Sequence, residues 1–331
     1  MNEQIELLSI GDATLDVFLT PSESETLCSI DTKECLICFS YGDKIPVKNI
    51  DYSVGGNAAN NVVGTKRLGV NSALVLTLGD DLVGNQIVEK LKSENVDMTY
   101  TVSQPSTTSN YSMVINYGGE RTIFVYHAPR SYEFPVSLPK VPWVYLTSMG
   151  ESFQPFYNHI LEWFGKNPEV KVAFNPGSYQ LRAKREIIEP ILKKTHILYV
   201  NRQEAEKIAG FGDSMGKEKE LLRAVSRLGP KIPVITDGGS GSYAFDGVKF
   251  YKANTMPVDA YERTGAGDAY GSGFLAALIQ GRNLREAMVW GTINSASVIG
   301  YVGGQKGLLR QDQLDEWLAM ATSSGVKVEE F

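Results

Sequence analysis

A chain of 331 residues that is 43% hydrophobic and 21% charged has the make-up of a globular α/β domain carrying a small appendage, and it lies outside the disordered and fibrous classes. Its formal net charge is −6 and its Lys and Arg residues are scattered, which excludes the basic stripe of a nucleic-acid binder; a local anion site made of backbone N–H groups remains open. The polar start Met1 to Glu6 lacks the basic and apolar regions of a secretory signal, no run approaches about 18 apolar residues, and the three cysteines do not make a disulfide framework, so a reduced, cytoplasmic chain without membrane contact is expected.

In chain order, short apolar runs predict strands at Ile5–Ile10, Ser72–Leu76, Trp143–Leu146, Lys171–Phe174, Ile197–Val200 and Pro233–Thr236. Most lack alternation, as strands covered on both faces do. Amphipathic stretches fall between them. One runs from Ala58 to Leu68 and is closed by Gly69; another, Leu284–Ile299, follows Asn283 as N-cap with Glu286 three residues on. The alternation predicts a three-layer α/β/α fold around a mostly parallel, Rossmann-like sheet.

Two segments break that rhythm. Residues 17–53 and 100–126 are rich in β-branched and aromatic residues, and Tyr111–Tyr117 and Arg121–Tyr126 flank Gly118-Gly119 as a hairpin. They predict antiparallel strands that meet as a β lid over a core of residues 1–16, 54–99 and 127–331. Exposed apolar strands of this kind also predict a homodimer through the lid. Cys35-Leu36-Ile37-Cys38 is a C-x-x-C, but no histidine precedes His127, so it reads as part of a strand and not as a zinc site.

The stretch Thr264-Gly265-Ala266-Gly267-Asp268 runs straight into an apolar helical segment. With 32 glycines in the chain, the spacing alone says little; the context says more. Glycines at a helix head leave the N–H groups of Ala266, Gly267 and Asp268 to face an anion, and a carboxylate in that first turn can take a proton from an attacking hydroxyl. Phosphoryl transfer asks for this pairing of charge stabilisation and a positioned base. A glycine-rich helix start with Asp268 as its cap fits the residues equally well.

Thr264 to Asp268 resembles the second signature of the ribokinase-like carbohydrate kinases (PfkB family), and Gly55-Gly56-Asn57-Ala58-Ala59-Asn60 followed by Leu68-Gly69 resembles the first. The resemblance extends over essentially the whole chain. It implies an ATP-dependent kinase in which Asp268 is the base and the Gly265, Ala266 and Gly267 amides form the anion hole, with Asp16, Gly55, Gly56, Asn57 and Asn60 on the acceptor. It further implies Mg²⁺ held through water by Asn201 and Glu204 of an N-x-x-E motif. Thr236, Gly238 and Gly241 of a T-x-G-x-x-G loop, together with Thr264 and Asn294, fall on the nucleotide side. The chain departs from the pattern at Glu262, where the family usually has an aspartate of a monovalent-cation site, so a K⁺ requirement is placed in doubt.

A neutral sugar is the expected acceptor, because Asp16 repels a phosphate and the G-G-N turn has no basic residue. A nucleoside stacked on Phe39, Tyr41, Tyr111 or Tyr126 is the alternative. A sugar phosphate or acid met by Lys44, Lys48, Arg121 or Arg130, and a non-catalytic nucleotide-binding homologue, complete the readings.

Overall fold

The computed structural model describes residues 4–22, 25–29, 34–117 and 120–331. The apolar run Leu7–Ile10 forms β1, buried along its whole length, and the chain continues through β2 (Thr14–Pro21), β3 (Glu25–Ser29), β4 (Glu34–Cys38) and β5 (Val47–Gly55) into α1 (Asn57–Arg67). There follow β6 (Ser72–Gly79), α2 (Leu82–Ser93), β7 (Asp97–Gln104), β8 (Tyr111–Tyr117), β9 (Glu120–Tyr126), β10 (Trp143–Leu146), α3 (Gln154–Lys166), β11 (Lys171–Phe174), α4 (Ser178–Arg182), α5 (Arg185–Lys194) and β12 (Thr195–Asn201). The last third holds α6 (Arg202–Ala209), α7 (Glu218–Ser226), β13 (Ile232–Thr236), β14 (Ser242–Phe245), β15 (Phe250–Ala253), α8 (Ala266–Ile279), α9 (Leu284–Val298), α10 (Leu314–Ser323) and β16 (Val328–Glu330).

Ten strands make one sheet in the order β16-β15-β14-β13-β12-β11-β10-β1-β6-β7. Pairing is parallel from β13 through to β7 and antiparallel from β13 to β16. Register sorts the side chains into two layers. Leu8, Val144, Val172 and Leu198 face the helices α3, α5, α6 and α7, whereas Leu7, Trp143, Ala173 and Ile197 face α8, α9 and α10, with α1 and α2 extending the second layer over Leu74, Leu76 and Leu78. Helices on both faces explain why these strands are apolar runs without alternation.

A second sheet, β5-β2-β8-β9, stands on the first, and among the described residues β3 pairs with β4 alone. Its limits differ from those expected. Residues 100–104 belong to β7, which pairs in parallel with β6, so the core keeps that segment and the later lid segment begins at Tyr111. At the other end β2 starts at Thr14 and β5 runs on to Gly55, which brings Asp16 and both ends of the first insertion into the lid sheet. The expected Gly118-Gly119 turn, part of the polar start, and the side chains of Cys28 and Cys35 lie outside the described residues.

Candidate active site

Parallel pairing aligns the carboxyl ends of β1, β10, β11 and β12 along one edge, the usual place for a ligand in such sheets. A cleft of about 520 Å³ opens there, lined by residues that directly follow these strands, among them Asp12, Ser148, Asn175 and Glu204. The lid closes over it with Asp16, Ser112, Val114, Ile123 and Val125.

The head of α8 enters this cleft from the far side, so that Gly265 and Asp268 line it. Gly265 has φ +76°, and a Cβ there would lie 2.4 Å from Gly304 Cα; only glycine lets these two backbones touch. Among the described residues no side chain caps α8. The Ala266 N–H turns back to the Arg263 carbonyl at 3.3 Å, which corrects the expectation that it serves an anion; the amides of Gly267 and Asp268, which among the described residues donate to no backbone carbonyl, remain for that role.

Asn60 Nδ2 donates to Asp268 Oδ2 at 2.8 Å, joining the two glycine motifs across 208 residues. Burial pushes the Asp268 carboxyl up to about 6, the charges of Glu204 and Asp16 add to the rise, and the Asn60 amide opposes it. Asp16 is likewise pushed up to about 6 by burial, with the charge of Glu262 adding to the rise against the hydroxyls of Ser112 and Thr14. The Gly55-Gly56 pair is needed because the chain presses past the β1–β2 turn. A Cβ at Gly55 would lie 2.1 Å from Asp16 Oδ2, and one at Gly56, with φ +91°, 2.7 Å from Ala13 Cα. Asn57 Nδ2 donates to Asn175 Oδ1 at 2.9 Å at the floor of the cleft.

Glu204 lines the cleft while also closing a capping box: its Oε2 accepts from the Asn201 N–H and Asn201 Oδ1 accepts from the Glu204 N–H, each at 2.9 Å. Cap and site are therefore the same residues. Burial raises the Glu204 carboxyl, against a hydrogen bond from the Asn201 backbone. Such a carboxylate fits a cation shared with a neighbouring anion. Among the described residues no cluster of three His, Cys, Asp or Glu side chains could cage a metal.

Glu262 does not fit a potassium ion in the same way. Its buried carboxylate pairs with Arg121 of β9 at 3.2 Å and accepts from the Thr264 N–H at 2.7 Å, from the Thr264 hydroxyl and from the Gly303 N–H at 3.3 Å. The guanidinium already supplies the positive charge.

A profile described as pfkB family carbohydrate kinase matches residues 24–311. The chain belongs to that family. It is 28% identical over 279 residues to an ATP-dependent 6-phosphofructokinase of Thermoanaerobacterium thermosaccharolyticum, covering 81% of this chain and 85% of that protein. With a nucleoside kinase of Methanothermobacter thermautotrophicus it shares 27% over 299 residues, 86% of each. The solved structure of Arabidopsis thaliana ribokinase complexed with ribose and ATP superposes with a TM-score of 0.79 at 19% identity, over 95% of this chain and 99% of that one, so the fold is that of ribokinase.

As a pfkB family carbohydrate kinase the protein is a phosphotransferase with an alcohol group as acceptor. Other members of the nucleotide-side set sit where the sheet continues: Thr236 ends β13, and Gly238 and Gly241, with φ +50° and +93°, turn the chain into β14. Asn294 is a correction. It is 1% exposed, its Nδ2 donates to Ala269 O and Ser272 Oγ and its Oδ1 accepts from the Leu309 N–H, so it ties α9 to α8 and is buried away from any ligand.

Asp12, Asn175, His127 and Tyr179 also line the cleft, outside the motifs legible in the sequence. Asp12 and Asn175 carried a usable signal, since each follows a parallel strand at its carboxyl end. His127 and Tyr179 carried none, because their meeting edge to face at 5.3 Å is a tertiary event.

Proposed function

We propose that this kinase transfers the γ-phosphoryl group of ATP to a hydroxyl of a neutral sugar, with Asp268 as the base. The observation that carries the reading is one carboxylate, part-buried at an uncapped glycine turn, held by Asn60 and lining the cleft under the lid sheet. With a proton affinity raised to about 6, Asp268 is ionised at neutral pH and a better proton acceptor than an ordinary aspartate. Asn60 fixes the direction of the carboxylate, the Gly267 and Asp268 amides with the α8 dipole meet charge on the phosphoryl oxygens, and Asp16 accepts from acceptor hydroxyls. When bound at Asn201 and Glu204, Mg²⁺ supplies charge neutralisation of the phosphates. The lid excludes water, which would otherwise compete as the nucleophile.

Charge in the cleft favours a neutral acceptor. Asp12, Asp16, Glu204 and Asp268 line it against Arg121, which Glu262 neutralises, and His127, whose proton affinity burial lowers. Arg130 is buried and donates to the carbonyls of Thr77, Thr108 and Ala128 and to Asn110 Oδ1, while Lys44 and Lys48 are exposed and outside the lining. A sugar phosphate therefore meets a net negative wall. A nucleoside is the second reading, favoured by the aromatic pair His127 and Tyr179 in the lining; Phe39, Tyr41, Tyr111 and Tyr126 are not part of it. The outward apolar face of the lid supports a homodimer, argued below.

The test is a coupled ADP-release screen with Mg-ATP across neutral pentoses and hexoses, their phosphates and acids, and nucleosides, with and without potassium. Turnover highest on a neutral sugar is expected, insensitive to potassium. Asp268→Asn should lower kcat by roughly 10²–10⁴ while ATP still binds. Highest turnover on a sugar phosphate, or near-normal kcat in the variant, would remove the proposal.

A further inference from the structure

Strands β12 and β13 pair in parallel and end side by side, with Asn201 next to Thr236. One residue further on the two chains part: Arg202 opens α6, and Asp237 leads into the turn of Gly238 to Gly241. Across that fork Arg202 Nη2 donates to Asp237 Oδ2 at 2.8 Å. Both residues occupy unspecified positions of the motifs N-x-x-E and T-x-G-x-x-G, so neither motif predicts a pair that joins the two.

Both terminal nitrogens of the guanidinium are fully used. Nη1 donates to the Ser214 carbonyl at 2.9 Å and to its Oγ at 3.0 Å, and Nη2 donates also to Glu218 Oε1 at 2.9 Å. Arg202 lies besides over the ring of Tyr243 in β14, 5.6 Å from its centre. Its side chain is 9% exposed, those of Glu218 and Asp237 19% and 16%, and its Nε is shut off from water without a partner among the described residues. Such a set is a poor source of stability, because apolar side chains of the same volume cost less to bury. What a planar guanidinium does give is direction, a rigid fork that sets its partners in defined places.

The places it sets flank the cleft. Glu204, in the first turn of α6, lines it. The turn after β13 is braced from its far side: the Asp237 N–H donates to the Gly241 carbonyl at 2.8 Å, and a Cβ at Gly241 would lie 2.0 Å from the Ala253 carbonyl oxygen of β15. Toward α6, the Arg202–Asp237 bond is the one side-chain hydrogen bond that residues 237–241 make among the described residues. The pairing also neutralises a carboxylate beside the exposed Gly238 and Gly239, where an unpaired charge would repel a phosphate.

We infer that Arg202 is a positioning residue for the nucleotide: by fixing and neutralising Asp237 it holds the 236–241 turn against the head of α6, so that both reach the phosphates of one ATP. The inference rests on the reading of Asn201, Glu204 and this turn as the nucleotide side.

Titration calorimetry of the full chain with MgADP, and initial rates at varied MgATP with D-ribose and D-fructose as acceptors, test it. Asp237→Ala leaves Arg202 on Ser214 and Glu218 and should fold; it should weaken MgADP and raise the KM for ATP about tenfold, with kcat and acceptor KM within about twofold. Arg202→Met leaves the Asp237 carboxylate unpaired and should lose more, and adding Asp237→Ala to it should bring the affinity back to that of Asp237→Ala alone. Glu218→Gln breaks the other ion pair of the same guanidinium, away from the turn; it should lower Tm about as much as Asp237→Ala and leave MgADP affinity within about twofold. If Arg202→Met does not fold, Asp237→Ala and Glu218→Gln decide between them. Equal loss of affinity in those two variants, or unchanged affinity in Asp237→Ala beside a lowered Tm, means that the cluster only braces the fold and overturns the role. A wild type that binds MgADP but phosphorylates no acceptor overturns the kinase reading, while the affinities still decide Arg202; one that binds no MgADP overturns both.

Discussion

Asp268 has to be both buried and charged, and the two demands conflict. Asp12, Asp16 and Asp268 are each pushed up to about 6 from an ordinary 3.8, chiefly by burial. Between those two values the folded chain binds more protons than the unfolded one, so stability falls as pH rises through the window, and above about 6 the penalty is complete. Asp268→Asn removes that penalty. At about pH 8 it should stabilise the chain by on the order of 2–3 kcal/mol and raise Tm, and below about pH 4 the gain should vanish; thermal melting at both values checks this. An inactive variant that is more stable only at the higher pH is the signature of a functional charge, whereas an Asp268 that merely capped its helix would destabilise on removal. Turnover of the wild type should run the other way in pH: the base is lost as pH falls through about 6, so kcat should drop about tenfold per unit below it in a pH–rate profile. Both Asp16 and Asp268 line the cleft; Asp268 could be picked out from its glycine context, whereas Asp16 is reached only through the family resemblance. Asn294 could not be judged from sequence, since nothing there tells a polar side chain that meets a ligand from one that laces two helices together.

At the scale of elements, the strands of the core could be read from apolar runs because covering both faces abolishes alternation. β7 escaped that rule. It is the edge strand beyond β6, its residues are mostly half-exposed, and Tyr100-Thr101-Val102 therefore carries the polar, β-branched look of a lid strand. The small sheet itself was visible as a departure from rhythm, but its link to the turn at the head of α8 was not, because Arg121 and Glu262 lie 141 residues apart. That pair ties β9 to the loop before α8, and Glu262 passes the contact to Thr264 and Gly303. Arg121→Gln should raise acceptor KM and increase ADP formed per acceptor phosphorylated, by up to about fivefold, since a half-exposed ion pair contributes at most about 1 kcal/mol. Parallel assays of ADP and of phosphorylated acceptor measure the ratio. An unchanged ratio would show that the lid closes without this tie.

On the scale of the whole molecule, the lid sheet has two unlike faces. Asp16, Ser112 and Val125 turn toward the cleft, whereas Tyr52, Val17, Met113 and Phe124 stand in register across all four strands on the other face. Of that outward row Val17 is buried at 3%, while Tyr52 is 64%, Met113 39% and Phe124 59% exposed, apolar surface that a monomer gains nothing by showing to water. A second copy, bringing the same surface, would cover it by a two-fold contact in which each residue meets its own counterpart region. Sedimentation at micromolar concentration should give twice the chain mass, and Phe124→Asp should return it to the monomer, because two carboxylates would then be buried against each other at the centre of the contact. Since the neighbours Ile123 and Val125 face the cleft and Phe124 does not, the variant leaves the acceptor wall intact. Its kcat therefore separates two roles for the partner: unchanged turnover in the monomer means that the second copy only shields that surface, and a fall in turnover means that it also holds the lid in the closing position.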